Sequence, residues 1–192
     1  GHLEVAWTYH TGDVSEGGPD APALRPSSFQ ATPIVVDGTL YFPTAVSRVI
    51  ALDPETGRER WSFDPGLDLS ASYAEIAARG VTSWLDPERS AGEECRRRIF
   101  LAHRGARLHA LDAETGLPCS DFGTAGEVDL TLGVARVRDP DYRRSNYGVT
   151  SPPVTIGDLV VVGSAIGDNQ WVEDATGVVR AYDARSGALR WG

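Results

Sequence analysis

The sequence contains no methionine, and only two of its 192 residues are cysteine. It also contains no apolar run that approaches the roughly 18 residues needed for a membrane-spanning helix. Positive charge is in deficit, because the net charge is −9 at pH 7. An acidic surface disfavours nucleic acid and anionic membranes as partners, so we expect no nucleic-acid partner. Two cysteines are too few to assign a redox compartment.

Basic residues form a run at one place only, Arg96-Arg97-Arg98. Charge runs are usually solvated. We therefore predict that this run is the exposed end of a strand.

Glycine and proline are plentiful, with 21 and 12 residues, and hydrophobic residues make up 41% of the chain. This is the composition of a soluble globular protein. It favours many short strands joined by tight turns over long helices.

A motif of the form Ala-(Leu/Tyr)-Asp-x-x-(Thr/Ser)-Gly occurs three times. Trp61 and Trp191 follow the first and third copies at the same offset, whereas Phe122 follows the second copy two residues late. Self-similarity of this kind indicates a repeat architecture. The three copies occupy residues 51–57, 110–116 and 181–187.

The motif has a local physical explanation. An aspartate at the start of a turn can accept hydrogen bonds from backbone N–H groups two residues on. The final glycine supplies the positive φ that the turn needs, and the tryptophan is expected to lie flat between neighbouring sheets. Asp53, Asp112 and Asp183 are therefore predicted to be structural rather than catalytic.

Hairpin signals precede each motif. Two apolar runs flank Asp37-Gly38, two more flank Gly157-Asp158, and residues 98–106 form a similar meander. The pattern of each unit then predicts four antiparallel strands, of which the last ends in Trp or Phe. Such a sheet is one blade of an all-β propeller. We predict a leading strand and linker (1–27) and about three blades (28–61, 62–127 and 128–192). Propellers close with four to eight blades, so an incomplete ring is expected.

Several stretches, in the same order, resemble the PQQ-dependent (quinoprotein) dehydrogenases, and within them the glucose and quinate dehydrogenase branch. The resemblance covers nearly the whole chain. The matching stretches are 29–33, 48–53, Arg79-Gly80-Val81, 95–101, 116–119, Thr150-Ser151-Pro152-Pro153, 163–169 and 177–180.

This resemblance implies the N-terminal part of an eight-bladed propeller that binds PQQ and calcium. It implies an enzyme that oxidises alcohols, sugars or cyclic polyols by hydride transfer to PQQ and passes electrons to a quinone or cytochrome. Such proteins are periplasmic, some with a membrane anchor. The family's catalytic base lies in a later blade, so no base is assigned here. The remainder of the propeller is an expected partner, and the 192 residues alone are expected to be inactive.

The resemblance also implies cofactor-binding residues. Arg79 matches an arginine placed against the quinone oxygens, a task suited to a planar and permanently charged donor. Thr150 and Ser164 match residues that hydrogen-bond the PQQ carboxylates, and Gln30 matches a polar residue near the cofactor rim. A surface ion pair for Arg79 and turn roles for Thr150 and Ser164 are the alternatives.

Asp168-Asn169 matches the metal-binding position, and carboxylate and amide oxygens are the ligands that calcium prefers. The alternative is an Asx turn in a surface loop. Glu75 departs from the family, which has a histidine near the cofactor at this position. A carboxylate there would repel a tricarboxylic cofactor unless a metal or an arginine compensates.

Cys95 and Cys119 flank the strands around Gly105, so pairing of those strands would bring the two cysteines together. Both recur in the resembling family, which implies a disulfide; two reduced core thiols are the alternative. His103 and His109 lie across the same turn, and we predict cross-strand pairing on an exposed hairpin rather than a metal site.

Two other functions stay open. Non-enzymatic propellers that act as protein-binding scaffolds share the Asp-x-x-Thr-Gly motif. A degenerate PQQ-like sensor would keep the fold and lose the chemistry, as the Glu75 departure allows.

Overall fold

A computed structural model describes residues 2–13, 28–69, 71, 73, 76–137, 147–167 and 174–192. The described residues form strands, bridges and turns, and include no helix. In this part of the chain, accordingly, no helix is long and apolar enough to cross a membrane.

Unit 1 is a four-stranded antiparallel sheet in the order β1-β2-β3-β4. The turn at Asp37-Gly38 joins the first two strands, as the sequence predicts, and both residues have positive φ. Its strands are β1 (Ile34–Val36), β2 (Thr39–Pro43), β3 (Val49–Leu52) and β4 (Glu59–Phe63).

Unit 2 is a second four-stranded sheet in the order β5-β6-β7-β8. Its tight turn joins the second and third strands, and Phe122 is fully buried outside any strand instead of ending the last one. The strands follow the predicted order, but the predicted place of the tight turn and the predicted strand end at Phe122 are wrong in this unit. Its strands are β5 (Thr82–Leu85), β6 (Arg97–His103), β7 (Arg107–Asp112) and β8 (Glu127–Asp129).

Unit 3 follows the order β10-β11-β13-β14, and a separate pair, β9 with β12, lies beside it. Three four-stranded antiparallel sheets confirm the predicted all-β, blade-like fold. The predicted boundaries between units stay predictions. The strands are β9 (Tyr147–Gly148), β10 (Val154–Ile156), β11 (Leu159–Gly163), β12 (Ala165–Ile166), β13 (Val179–Asp183) and β14 (Leu189–Trp191).

The repeated motif forms the same turn in all three units. In unit 1, Asp53 Oδ1 accepts hydrogen bonds from the backbone of Glu55 and from both the backbone and hydroxyl of Thr56. Asp112 and Asp183 make the equivalent contacts. The predicted structural role of the three aspartates is confirmed.

In each unit, residues that precede the unit in the sequence cover the glycine of the turn. Trp61 of unit 1 covers Gly116 of unit 2 so closely that a Cβ on that glycine would lie 2.6 Å from the indole ring. The indole N–H of Trp61 also donates to Ala113 O at 3.0 Å. Trp7 covers Gly57 and donates to Pro54 O at 3.1 Å in the same way. The tryptophan therefore contributes both apolar contact and one donor.

The motif of unit 2 is not followed by a tryptophan, and other groups take its place against unit 3. A Cβ on Gly187 would meet Gly123 N and Val128 Cγ2, each at 2.8 Å. The indole's donor role passes to Arg98, whose Nη1 donates to Arg185 O at 2.6 Å. In unit 2, where Phe122 comes two residues late, the backbone of Gly123, the Val128 side chain and Arg98 therefore take over the contacts that a tryptophan makes elsewhere.

Arg98 contradicts the prediction of a solvated basic run, because its side chain is completely buried. Nη2 donates to Asp121 at 2.6 Å, Nε donates to Cys95 O at 3.2 Å, and the guanidinium lies 5.7 Å from the centre of the Trp84 ring. Burial lowers the pKa of Arg98, and the ion pair with Asp121 opposes that effect. The physical reason is that strand alternation turns Arg98 away from Arg97 and onto the side of the sheet that unit 3 covers.

A buried carboxylate also joins units 2 and 3. Asp86 is fully buried and accepts two hydrogen bonds from the Arg185 guanidinium, at 2.6 and 2.7 Å. These bonds lower the pKa of Asp86 to about 2, although burial acts in the opposite direction. Bidentate pairing compensates the desolvation of the carboxylate.

We predict that Gly116→Ala lowers the free energy of unfolding by about 2 to 4 kcal/mol. The new Cβ would add strain at positive φ and would overlap the Trp61 ring. The matched control is Gly38→Ala, where φ is +70° and nothing lies within 4 Å, so only about 1 kcal/mol of strain is expected. Urea unfolding of both variants measures the difference, and equal losses would contradict the role of the ring.

We predict that Arg98→Met lowers the free energy of unfolding by about 2 to 3 kcal/mol, since buried carbonyl oxygens lose their donors. The control is Arg97→Met, in the same run. Arg97 is partly exposed and pairs with the exposed Asp37, and such pairs contribute about 0 to 1 kcal/mol. A loss for Arg98→Met no larger than that for Arg97→Met, in the same urea titration, would rule out the buried role.

Candidate functional site

The two ends of the sheets carry different parts of the chain. We call one end the upper face, formed by the leading segments before the first strand of each unit (28–33, 76–81 and 147–153) together with the connections 44–48 and 104–106 and the described ends (164–167 and 174–178) of the connection between Gly163 and Val179. Strand register places them together, because Pro43 pairs with Val49 and Gly163 with Val179. The opposite end, the lower face, carries the Asp-x-x-Thr-Gly turns.

Backbone hydrogen bonds hold the three leading segments side by side. Thr32 N donates to Arg79 O at 2.9 Å, and Arg79 N donates to Thr150 O at 3.0 Å. Gly80 allows the close approach, because a Cβ there would lie 3.1 Å from Pro152 Cγ. Arg79 thus lies between a segment of unit 1 and a segment of unit 3.

Three of the predicted cofactor residues occupy equivalent positions in their units. Gln30, Arg79 and Thr150 each lie three or four residues before the first strand. Gln30 is exposed, Arg79 is half-buried and Thr150 is buried. The repeat therefore brings Arg79 and Thr150, which are far apart in the sequence, into backbone contact.

Ser164 lies at the start of the connection 164–178, and its hydroxyl is engaged within it. Oγ donates to Val178 O at 3.0 Å and accepts from Val178 N at 2.8 Å. The serine therefore closes the base of the connection. Any role of Ser164 toward a cofactor stays a prediction.

Glu75, Asp168 and Asn169 lie outside the described residues. The predicted metal position belongs to the connection 164–178, whose two ends are fixed at the upper face by the Gly163–Val179 pair.

Sequence reasoning missed the polar groups buried beneath the upper face of unit 2. His103 and His109 are 3% and 4% exposed, so the predicted exposed hairpin is wrong. Both lie in the two middle strands of a sheet, which neighbouring units cover on both sides. Arg104 is buried as well, with its guanidinium 6.0 Å from the centre of the Tyr73 ring. A period-two pattern could not reveal these residues, since both faces of the strands are covered.

Cys95 and Cys119 form a disulfide in the structure. It lies at the lower face, where Cys95 N also donates to Asp112 Oδ2 at 2.6 Å. The disulfide thus fixes the loop between β5 and β6 to the motif turn of unit 2, far from the leading segments.

A cavity of about 410 Å³ also opens at the lower face, between units 1 and 2. Arginines and carboxylates line it, and two of them, Arg97 and Asp37, pair with each other. Among the described residues, none of the predicted cofactor residues (Gln30, Arg79, Thr150 and Ser164) borders this cavity.

The glucose/ethanol/alcohol dehydrogenase β-propeller domain family, designated PQQ, matches residues 1–192. Quinoprotein glucose dehydrogenase A of Acinetobacter calcoaceticus is 33% identical over 98% of this chain and 24% of its own length. Quinoprotein glucose dehydrogenase of Escherichia coli is 34% identical over 99% of the chain and 23% of its own length. The chain therefore spans about a quarter of these relatives.

Solved structures of dehydrogenases are also similar to this chain. Quinohemoprotein alcohol dehydrogenase from Comamonas testosteroni superposes with a TM-score of 0.63 at 26% identity, covering 84% of this chain and 20% of that protein. A europium-containing methanol dehydrogenase gives a TM-score of 0.61 at 22% identity, over 98% of this chain and 26% of that protein. The second similarity concerns the fold alone.

We predict that Cys95→Ala/Cys119→Ala lowers the free energy of unfolding by about 3 kcal/mol, since the disulfide restricts the unfolded chain across a separation of 24 residues. The leading segments lie at the other face, so their hydrogen-exchange pattern should stay the same under native conditions. Thiol reduction of the unsubstituted protein is the matched comparison. Unchanged stability in both experiments would contradict the prediction.

Proposed function

Because the chain belongs to the PQQ-type glucose/ethanol/alcohol dehydrogenase β-propeller family, we propose that its upper face forms part of the PQQ site of a dehydrogenase. The observation that carries this proposal is the hydrogen-bonded row of leading segments, with Arg79 between Thr32 and Thr150. Arginine, threonine and glutamine occupy equivalent positions of three units in or beside this row.

The chemistry of these groups fits the cofactor. PQQ carries three carboxylates and a pair of quinone oxygens, so a site for it needs cationic and neutral hydrogen-bond donors. Arg79 would donate its guanidinium N–H groups to the quinone oxygens, and Thr150 and Gln30 would donate to carboxylates or rim oxygens. Charge-assisted bonds from arginine to anionic oxygens are among the stronger hydrogen bonds in proteins.

Metal binding is proposed for Asp168 and Asn169, which would give calcium one carboxylate and one amide oxygen. When bound, PQQ would supply the two-electron acceptor for alcohol oxidation, with calcium as the Lewis acid beside it. Ser164 would act by closing the connection that carries both metal ligands. Glu75 would place a carboxylate near the cofactor, and it fits if calcium or Arg79 compensates its charge.

For the whole protein, we propose oxidation of an alcohol, sugar or cyclic polyol, with electrons passing to a quinone or cytochrome. A periplasmic location, with or without a membrane anchor, belongs to the same proposal. The general base would come from a later blade, so the 192 residues alone should show no turnover.

A degenerate sensor or protein-binding scaffold is the second candidate. It is favoured by one observation, Glu75 at the position of the family histidine. An uncompensated carboxylate there would weaken binding of a tricarboxylic cofactor. PQQ binding separates the two candidates.

We predict that the full-length protein binds PQQ with micromolar or tighter affinity when calcium is present, with quenching of tryptophan fluorescence. Arg79→Ala and Asp168→Ala should each weaken binding by about tenfold or more, since each removes a charged partner. Arg97→Ala and Asp37→Ala are the matched controls, because both residues lie at the lower face, and their affinity should equal that of the unsubstituted protein. A folded protein that does not bind PQQ with calcium would favour the sensor or scaffold.

A further inference from the structure

Two histidines form a hydrogen-bonded pair beneath the upper face of unit 2. We call this arrangement closed, and the arrangement without the bond open. His103 ends β6 and His109 lies in β7, and their ring planes are within 14° of parallel with centres 5.1 Å apart. The two Nε2 atoms lie 3.1 Å apart, which is hydrogen-bond distance. One proton must therefore lie between the two rings.

Neighbouring contacts fix which nitrogen carries each proton. Gly105 N donates to His103 Nδ1 at 3.1 Å, so Nδ1 is an acceptor and His103 is neutral with its proton on Nε2. That proton is donated to His109 Nε2, so neutral His109 carries its own proton on Nδ1. His109 Nδ1 lies 3.8 Å from Glu127 Oε2. The result is a directed chain from the Gly105 amide through both rings toward Glu127.

The surroundings of the pair disfavour a positive charge. Phe63 covers the His109 ring at 5.3 Å between centres and contributes no charge. Arg107 faces the pair from β7, although it is itself paired with Asp129 at 2.9 Å and approaches Glu127 at 3.6 Å.

The pKa values follow from this environment. Burial, with His109 and Arg107 adding to it, lowers the pKa of His103 to about 3. Burial and Arg107 lower the pKa of His109 to about 4. Arg104, the next residue along the turn, lies against Tyr73.

The pair is connected to the row of leading segments through one carbonyl. His103 O accepts from Ala106 N at 3.0 Å, within the turn, and from Val149 N at 3.1 Å, in the leading segment of unit 3. Gly148 packs so tightly on this turn that a Cβ would lie 2.4 Å from Arg104 O. The residue after Val149 is Thr150, whose carbonyl accepts a hydrogen bond from Arg79 N.

We propose that the His103–His109 pair is an acid-sensitive support of the upper face, which holds segment 147–150 in place while both rings are neutral and releases it when the pair takes up a proton. His103 and His109 are thus positioning residues. The consequence for PQQ binding rests on the function proposed above.

A proton has no suitable place within the closed pair. On His103 Nδ1 it would oppose the Gly105 N–H, and on His109 Nε2 it would oppose the N–H of His103. Either position removes a hydrogen bond and leaves a charge in a buried site next to Arg107. The charged ring is accommodated when it moves toward water, and the His103 carbonyl and segment 147–150 move with it.

The sign of the pH dependence follows from these pKa values. Both pKa values are lowered in the closed state, so the open state binds more protons. The closed state therefore keeps its full stability above about pH 6.5 and loses it as the pH falls toward 4. For one imidazole that titrates at 6.5 when open and at about 4 when closed, opening should increase about twentyfold between pH 7 and pH 5.

Hydrogen exchange at the Val149 amide of the full-length protein tests this proposal. After correction for the intrinsic exchange rate, the protection factor should fall about twentyfold between pH 7 and pH 5. In His103→Asn/His109→Leu the protection should not vary with pH, since the introduced amide oxygen can accept from Gly105 N and neither new side chain titrates. The matched control is His10→Gln, which removes an exposed imidazole and should behave like the unsubstituted protein. Unchanged protection at pH 5, or an equal fall in the double variant, would overturn the proposal.

Two further measurements keep the outcomes distinct. Imidazole ¹⁵N shifts of the unsubstituted protein at pH 7 should show a proton on His103 Nε2 and on His109 Nδ1, and the opposite tautomers would overturn the proposal even if the variant fails to fold. PQQ affinity, measured by titration, should fall more between pH 7 and pH 5 in the unsubstituted protein than in the double variant. If PQQ binds at neither pH while Val149 still responds to acid, the proposed function fails and the support role stands.

Discussion

The structure depends on one contact, in which a flat aromatic ring lies directly on a glycine with positive φ in the next unit. Trp7 on Gly57 and Trp61 on Gly116 repeat this contact, each with an indole N–H bonded to a turn carbonyl. No residue with a Cβ fits beneath the ring, so the glycine fixes how closely adjacent sheets approach. That spacing places the leading segments within hydrogen-bond distance at the opposite end of the sheets.

Unit 2 shows that the constraint concerns shape and donors rather than tryptophan itself. At its boundary with unit 3, backbone at Gly123 covers Gly187, and Arg98 supplies the donor. All 18 basic residues of the sequence are arginine and none is lysine. A guanidinium can stack on a ring while its N–H groups reach several carbonyls, as Arg98 does beside Trp84, and an ammonium cannot do both.

Features that depend on contacts between residues close in the sequence could be predicted from it, whereas features that depend on distant contacts could not. The turn at Asp53 was predictable because its donors lie two and three residues away. Arg98 and His109 were placed wrongly because their burial depends on neighbouring sheets, which no local pattern reports. Gln30, Arg79 and Thr150 are intermediate: family resemblance indicated the residues, and their equivalent positions in the repeat explain why Arg79 and Thr150 lie together.

The two faces differ in how they are held, and this difference bears on which face can respond to a ligand. The lower face is fixed by a disulfide, by Asx turns and by bidentate ion pairs such as that of Arg185 with Asp86. The upper face is held by single backbone hydrogen bonds between residues far apart in sequence, such as Arg79 with Thr150. Such contacts open at lower free energy than a sheet core. A ligand that bridges the leading segments would therefore stabilise contacts that open more readily than a sheet core, and a proton on the histidine pair would act on the same contacts in the opposite direction.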